Sequence, residues 1–201
     1  MNTQKSGKGL FVAICGPSGV GKGTIIKMMK ERFSEALYVL SHTTREMRPG
    51  EKEGEVYFFI SKDEFEEGIK QERFLEWAQV HKKDYYGILK EPVLKGLEEG
   101  KVVIREVDLQ GVRSIKKVFD PADLVSIIIL PENLQVLRDR IAARGKLPEE
   151  EVERRLASAK VEILAAKEMD YRVYNIEGQI EESYQEVMAI IEKEKEKRGI
   201  V

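Results

Sequence analysis

The chain has 201 residues, enough for one domain with a real core. Its 34 basic and 36 acidic residues nearly cancel, leaving a formal net charge of −2. That balance excludes a global attraction to nucleic acid or to an anionic membrane, so any phosphate recognition has to come from local basic clusters. The single cysteine, Cys15, allows no internal disulfide and suits a reducing cytoplasmic setting as a small buried hydrophobe. The opening stretch Met1 to Gly9 is polar and basic with no apolar signal region. No segment approaches the ~20 apolar residues of a membrane span.

The first element is the apolar run Leu10-Phe-Val-Ala-Ile-Cys15, a buried strand. It runs into Gly16-Pro-Ser-Gly-Val-Gly-Lys-Gly-Thr24, which fits the phosphate-loop spacing G-x-x-x-x-G-K. Glycine tolerates the dihedrals that let backbone N–H groups close around an anion. Lys22 adds a point charge, and a helix from Thr24 to Phe33 turns its positive N-terminal end to the same place. A Gly-rich turn that merely joins a strand to a helix is the plainer alternative. The strand before the loop, and Ile25, Ile26 and Met29 at helical spacing after it, favour a nucleotide phosphate site. The motif wants Ser or Thr at the position of Gly23, where the hydroxyl ligates Mg²⁺; the hydroxyl comes one place later, at Thr24.

Four further core strands are expected: Tyr38 to Leu40, Val102 to about Val107, Leu124 to Leu130 and Tyr171 to Tyr174. The third is nearly all aliphatic, as for a strand covered on both faces. Helical patterns span Pro92 to Glu99, then Leu134, Leu137 and Ile141 on a helix opened by Pro131, then Glu149 to Lys167. Ile180, Tyr184, Val187 and Ile191 mark a last helix, with the Glu-Lys run beyond them as its solvated end. Alternating strands and helices imply a parallel α/β sheet with right-handed crossovers. The stretch from Ser41 to Pro92 breaks the alternation. It holds Val56-Tyr-Phe-Phe-Ile60, a capping-box signature Ser61-Lys-Asp-Glu64, Phe74-Leu-Glu-Trp-Ala-Gln-Val80 and Asp84-Tyr-Tyr-Gly87. These predict an inserted α+β subdomain with its own small sheet.

The insert opens with Ser41-His-Thr-Thr-Arg45-Glu-Met-Arg48. Two arginines three residues apart beside hydroxyls form an anion site, because guanidinium forks bind phosphate bidentately. Tyr57, Tyr85 and Tyr86 offer phenolic donors. Glu76, Glu106 and Asp108 are pure acceptors when ionised. A carboxylate pairs with the N1–H and N2–H₂ donors of guanine, whereas adenine offers that edge an unprotonated N1. Surface charge on a sheet explains each acidic group singly but not their placement in otherwise apolar strands.

Ser41-His-Thr-Thr-Arg-Glu-Met-Arg-Pro-Gly-Glu, Gly54-Glu-Val-Tyr-Phe-Phe, Phe74-Leu-Glu-Trp-Ala, Tyr85-Tyr-Gly and Val107-Asp-Leu-Gln-Gly together resemble the guanylate kinase family. The likeness runs from about Leu10 to Asn175. It implies an α/β fold: a P-loop NTPase-type parallel sheet with flanking helices, an inserted α+β GMP-binding subdomain and a helical lid. The core would comprise residues 9–40, 93–139 and 156–201, the insert 41–92 and the lid about 140–155. It implies that Ser41, Arg45, Arg48, Tyr57 and Tyr86 hold the GMP phosphate and neighbouring groups, and that Glu76 and Asp108, with Glu106 beside them, read guanine. Gly16, Pro17, Ser18, Gly19, Val20, Gly21, Lys22, Gly23 and Thr24 would hold ATP phosphates, with Asn175 near the adenine. Lys22, Arg140, Arg144 and Arg155 would be catalytic, the three arginines converging on the moving phosphoryl group, while Arg154 pairs with neighbouring glutamates.

The implied cofactor is Mg²⁺ brought with ATP and held by phosphates and water, with no direct protein ligand. The implied partners are the small molecules ATP and GMP, with no nucleic acid and no membrane, in a monomer or homo-oligomer. Three places depart from the family pattern. Gly23 replaces the metal-ligating hydroxyl, Ile88 stands where a hydroxyl near the base oxygen is expected, and Arg105 and Glu106 stand where an apolar residue and Asp are more usual. Two other readings stay open: a non-catalytic relative that binds phosphorylated peptides through Arg45, Arg48 and Tyr57, and a kinase of this fold with another acceptor. Retention of Lys22 argues against the first, and Glu76 with Asp108 against the second.

Overall fold

The computed structural model of the chain describes residues 9–80, 83–143 and 147–200. Strand β1 (Leu10–Cys15) leads through a glycine loop into helix α1 (Lys22–Arg32), and β2 (Leu37–Tyr38) follows. The chain then builds a second sheet from β3 (His42–Thr43), β4 (Phe58–Phe59), β5 (Phe74–Val80) and β6 (Asp84–Leu89), with α2 (Lys62–Lys70) between β4 and β5. Helix α3 (Lys90–Glu98) returns to the first sheet. There follow β7 (Val102–Glu106), α4 (Leu109–Val118), β8 (Leu124–Pro131), α5 (Leu134–Ala143), α6 (Glu149–Leu164), a 3₁₀ turn (Ala165–Glu168), β9 (Tyr171–Asn175) and α7 (Ile180–Arg198).

The first sheet has the order β2-β7-β1-β8-β9 and every neighbouring pair is parallel. Period-two alternation divides its side chains between two cores. Leu10, Val12 and Ile14 of β1 join Val125, Ile127 and Ile129 of β8 in one cluster, under α1, α5, α6 and α7. Phe11, Ala13 and Cys15 join Leu124, Ile128 and Leu130 in the other, under α3 and α4. All eight residues of β8 are buried, which is why that strand reads as an unbroken aliphatic run. The second sheet has the order β4-β3-β6-β5; β3 and β4 pair parallel, the other pairs antiparallel. Its own core is aromatic: Phe65 stacks on Phe74 at 4.2 Å and on Tyr85 at 5.1 Å.

Ser61 and Glu64 form the expected capping box at the start of α2, Ser61 Oγ accepting from the Glu64 amide at 3.1 Å and Glu64 accepting from the Ser61 amide at 2.9 Å. Other local expectations change. Pro131 does not open α5; it ends β8, paired with Asn175, and Asn133 caps the helix by accepting from the Val136 amide at 2.9 Å. The run Val56 to Ile60 supplies only the two strand residues of β4. The Glu-Lys run at the end of α7 is not wholly solvated: Glu194 is 5% exposed. It accepts from the Tyr171 hydroxyl at 2.5 Å and from Lys197 and Arg198. Burial pushes its carboxyl up, and those three donors outweigh it, bringing it down to about 2. Helix α4 was not anticipated, although Asp108 caps it and Leu109, Val112 and Ile115 recur at helical spacing on its buried face.

The insert's aromatic core generates a stability prediction. Phe65→Ala removes a fully buried ring from a small sheet and is expected to cost about 3–5 kcal/mol. Chemical denaturation followed by Trp77 fluorescence measures it. A loss below about 1 kcal/mol would show that the ring does not hold the insert together.

Candidate functional site

The loop after β1 is built on close backbone approach. Gly16, Gly19 and Gly21 have φ of +139°, +87° and +105°, the left-handed region that side-chain-bearing residues avoid. A Cβ on Gly16 would strike the carbonyl oxygen of Ile129 in β8, and one on Gly21 would strike the side-chain amide of Asn175 at the end of β9. By contrast, a Cβ on Gly23 would meet nothing within 4 Å. Lys22 folds back over the loop. Its Nζ donates to the Gly16 carbonyl at 2.5 Å and the Pro17 carbonyl at 3.0 Å and lies 3.8 Å from a Glu106 oxygen. Thr24 lies exposed on the first turn of α1, and Pro17 and Val20 are buried as the loop's apolar underside.

A cleft of about 950 Å³ runs from this loop to the second sheet. Gly16, Ser18, Gly19, Gly21, Lys22 and Gly23 line one end. Ser41, Tyr57, Glu76 and Tyr86 line the other, and Glu106 and Asp108 lie between at the C-terminal end of β7. This is the usual position of a ligand in an open parallel sheet, beyond the carboxyl ends of the strands. The cleft therefore collects twelve of the residues singled out from the sequence from six separate stretches of chain.

The remaining expected residues sit elsewhere. Arg45 packs its guanidinium 5.5 Å from the ring centres of Tyr57 and Phe59 and grips Glu51 with two 2.9 Å hydrogen bonds. Glu51 also accepts from the Arg48 amide at 2.9 Å; that bond and Arg45 hold its carboxyl below the usual range. Arg48 itself is exposed. Asn175 does not face the cleft. It is 4% exposed, and its amide donates to the Val20 carbonyl at 2.7 Å, so it braces the phosphate loop from beneath. Arg155 lies on α6 and donates to Glu151 at 2.7 Å, while Arg154 grips the same carboxylate with two bonds at 2.7 and 2.8 Å. Together they hold Glu151 down to about 2. Arg140 is half-buried on α5, outside the cleft lining, and Arg144 falls outside the described residues. Asp108 does double duty: besides lining the cleft, it accepts from the Gly111 amide at 2.6 Å as the cap of α4.

Ile88 is fully buried in the core cluster beneath the insert, so its side chain does not replace a hydroxyl in the cleft. Arg105 lies at the cleft wall and donates to the Val39 carbonyl at 3.0 Å and to Ser41 Oγ. Glu162 on α6 was missed entirely because it reads as one more charge on a polar helix face. It lines the cleft, where burial pushes its carboxyl up, Lys22 pulls it down and Asp108 raises it again. Burial likewise raises Tyr57, keeping its phenol neutral as a donor.

The family model described as guanylate kinase matches residues 8–194. The chain belongs to the guanylate kinase family. The guanylate kinase of Caldanaerobacter subterraneus subsp. tengcongensis is 43% identical over 188 residues, 94% of this chain and 89% of that protein. That of Synechocystis sp. is 41% identical over 172 residues, 86% of this chain and 88% of that one. The crystal structure of the guanylate kinase from Anaplasma phagocytophilum superposes with a TM-score of 0.70 at 26% identity, covering 94% of this chain and 87% of that one. The parallel core with flanking helices is thus the family's α/β fold. No helix among the described residues is long and apolar enough to cross a membrane.

The loop geometry separates two glycines that look alike in sequence. Gly16→Ala is expected to lose nucleotide binding by at least about tenfold and to lower stability, because its Cβ has no room and the φ is unfavourable. Gly23→Ala, in open space on a helix, is expected to be neutral or more stable by up to about 1 kcal/mol. Thermal melting and ATP titration of the two variants test this; equal behaviour would contradict the close approach to β8.

Proposed function

We propose that this chain transfers the γ-phosphoryl group of ATP to GMP, releasing ADP and GDP. The observation that carries the reading is the single cleft that joins a glycine-cradled lysine to an acceptor half lined by hydroxyls and carboxylates. The loop amides and Lys22 bind the ATP phosphates. Ser41, Tyr57 and Tyr86, with Arg45 and Arg48 from the neighbouring turn, hold the GMP phosphate. Glu51 is the internal anion that already occupies the Arg45 fork, and a phosphate would compete with it. Glu76 and Asp108 accept from the guanine N1–H and N2–H₂ groups.

Little acid–base chemistry is needed. The attacking GMP phosphate oxygen is ionised near neutral pH, so no proton leaves first. A new bond forms from that oxygen to the γ-phosphorus while the bond to the β-bridging oxygen breaks. The protein's task is to position two mutually repelling anions and to balance the charge that moves. Arg140 and Arg155 lie outside the cleft lining, so a catalytic role for them would require α5 and α6 to approach the bound phosphates. Such closure would also exclude water, the competing acceptor. Arg155 must then exchange Glu151 for phosphate.

Mg²⁺ would accompany ATP and be held by its phosphates and water, since this ion gives up its hydration shell reluctantly. Such an ion offsets phosphate charge.

Two substitutions test the two halves of the cleft. Lys22→Ala is expected to lower kcat by about 10³-fold without unfolding the protein. Near-normal turnover by a folded variant would end the phosphate-loop assignment. Glu76→Gln is expected to lower kcat/KM for GMP by about two orders of magnitude, because its amide N–H₂ faces guanine donors, while KM for ATP changes little. Unaltered GMP kinetics would remove Glu76 from base recognition.

A further inference from the structure

Arg105 is the one basic residue of β7, after the buried Val102, Val103 and Ile104 and before Glu106. Its guanidinium is committed at one end: Nη1 donates to the Val39 carbonyl and Nη2 to the Ser41 hydroxyl oxygen. These two acceptors bracket the joint where the chain leaves the core after β2 and enters the insert at β3. Its Nε is buried and has no hydrogen-bond partner. Neither hydrogen bond is to an anion, so the charge is balanced only at longer range. The nearby carboxylates that favour its charged form are Glu76 and Glu106. A strand interior that keeps a cation against its desolvation cost must gain from those neighbours. Glu106 already faces Lys22 at 3.8 Å, which leaves Glu76, part-buried on β5, as the carboxylate for which Arg105 is the counter-charge among the described residues.

We propose that Arg105 is a specificity-determining positioning residue: it tethers the core-to-insert joint through Val39 and Ser41, and it supplies the counter-charge that lets Glu76 act purely as an acceptor toward the purine edge. This rests on the reading of Glu76 as the base-reading residue. The chemistry follows from what each form of Glu76 offers. The carboxylate has only lone pairs and matches guanine N1–H. The neutral acid carries an O–H that adenine N1 accepts. Burial raises the Glu76 carboxyl, Arg105 lowers it and Asp108 raises it again, so loss of Arg105 leaves two effects that both favour the neutral acid. The other ionisable groups sharing the cleft are Tyr38, Glu55, Tyr57, Tyr86, Glu106, Asp108, Glu162 and the lysines of α1, and none is removed by substituting Arg105. The acceptor phosphate, which titrates near pH 6, is common to every variant.

The test compares Arg105→Met, Arg105→Gln and Arg105→Lys with the parent by steady-state kcat/KM for GMP and AMP from about pH 5.5 to 8.5. Activity toward GMP requires ionised Glu76 and falls as pH drops through its pKa. Arg105→Met is expected to move the acid limb up by about one unit and to cut the GMP-to-AMP ratio by about tenfold or more, most at low pH. KM for ATP is expected to stay within about twofold. Arg105→Lys is expected to return the limb toward the parent. Arg105→Gln, a shorter neutral side chain that loses the charge and the two Nη hydrogen bonds together, is expected to follow Arg105→Met; it carries the comparison if the methionine variant does not fold. An unmoved acid limb together with an unmoved GMP-to-AMP ratio in either folded neutral variant overturns the proposal. If Glu76→Gln also leaves GMP kinetics unaltered, the base-reading role itself fails. If Glu76→Gln is impaired and only the Arg105 variants are silent, the failure belongs to Arg105 alone.

Discussion

The rest of the site depends on how closely the loop after β1 lies against its neighbours. Gly16 touches the β8 backbone with no room for a methyl group, and Gly21 sits against Asn175 at the end of β9. Both contacts exist because β1, β8 and β9 are adjacent and parallel, so their carboxyl ends emerge together. The sheet order thus holds the anion cradle from two sides. Asn175 reinforces this by tying the loop's Val20 carbonyl to the last strand. An anion site of backbone amides needs such rigidity, since its donors are fixed by the path of the chain and not by side-chain rotamers.

Around that cradle the cleft is electrostatically mixed. Lys22 and Arg105 are its inner cations, and Glu76, Glu106, Asp108 and Glu162 its inner acids. Lys22 and the glycine loop lie at one end of the cavity and Glu76 at the other, with Glu106 and Asp108 between them. At the periphery, Arg45 with Glu51, and Arg154 and Arg155 with Glu151, are ion pairs in which a carboxylate holds each guanidinium in place.

The insert is a separate packing unit with aromatic stacking at its centre and a short joint to the core. Ile88 and Leu75 carry the core's apolar cluster into it, and Arg105 adds a polar tether at the joint. That combination allows the acceptor half of the cleft to be positioned accurately by a sheet with short strands. It also gives position 88 a packing role that its place in the motif did not suggest.

Much was legible from sequence alone, for physical reasons that act locally. The glycine spacing of residues 16 to 21, the aliphatic strand at 124 to 130 and the Ser61–Glu64 cap depend on backbone freedom, burial on both faces and a hydrogen bond three residues long. The family was legible because its motifs are contiguous. Tertiary structure alone decided the roles that depend on distant partners. Asn175 became a brace because β9 ends beneath the loop. Ile88 became core because the insert folds onto helices α3 and α4. Glu194 became buried beside β9, where Tyr171 donates to it, while its ion partners Lys197 and Arg198 lie on its own helix. Arg105, an unexplained charge in a strand, found its acceptors at Val39 and Ser41, 66 and 64 positions earlier in the chain. Local pattern specifies an element and the kind of group it presents, whereas the direction that group faces and what meets it are set by which strands lie side by side.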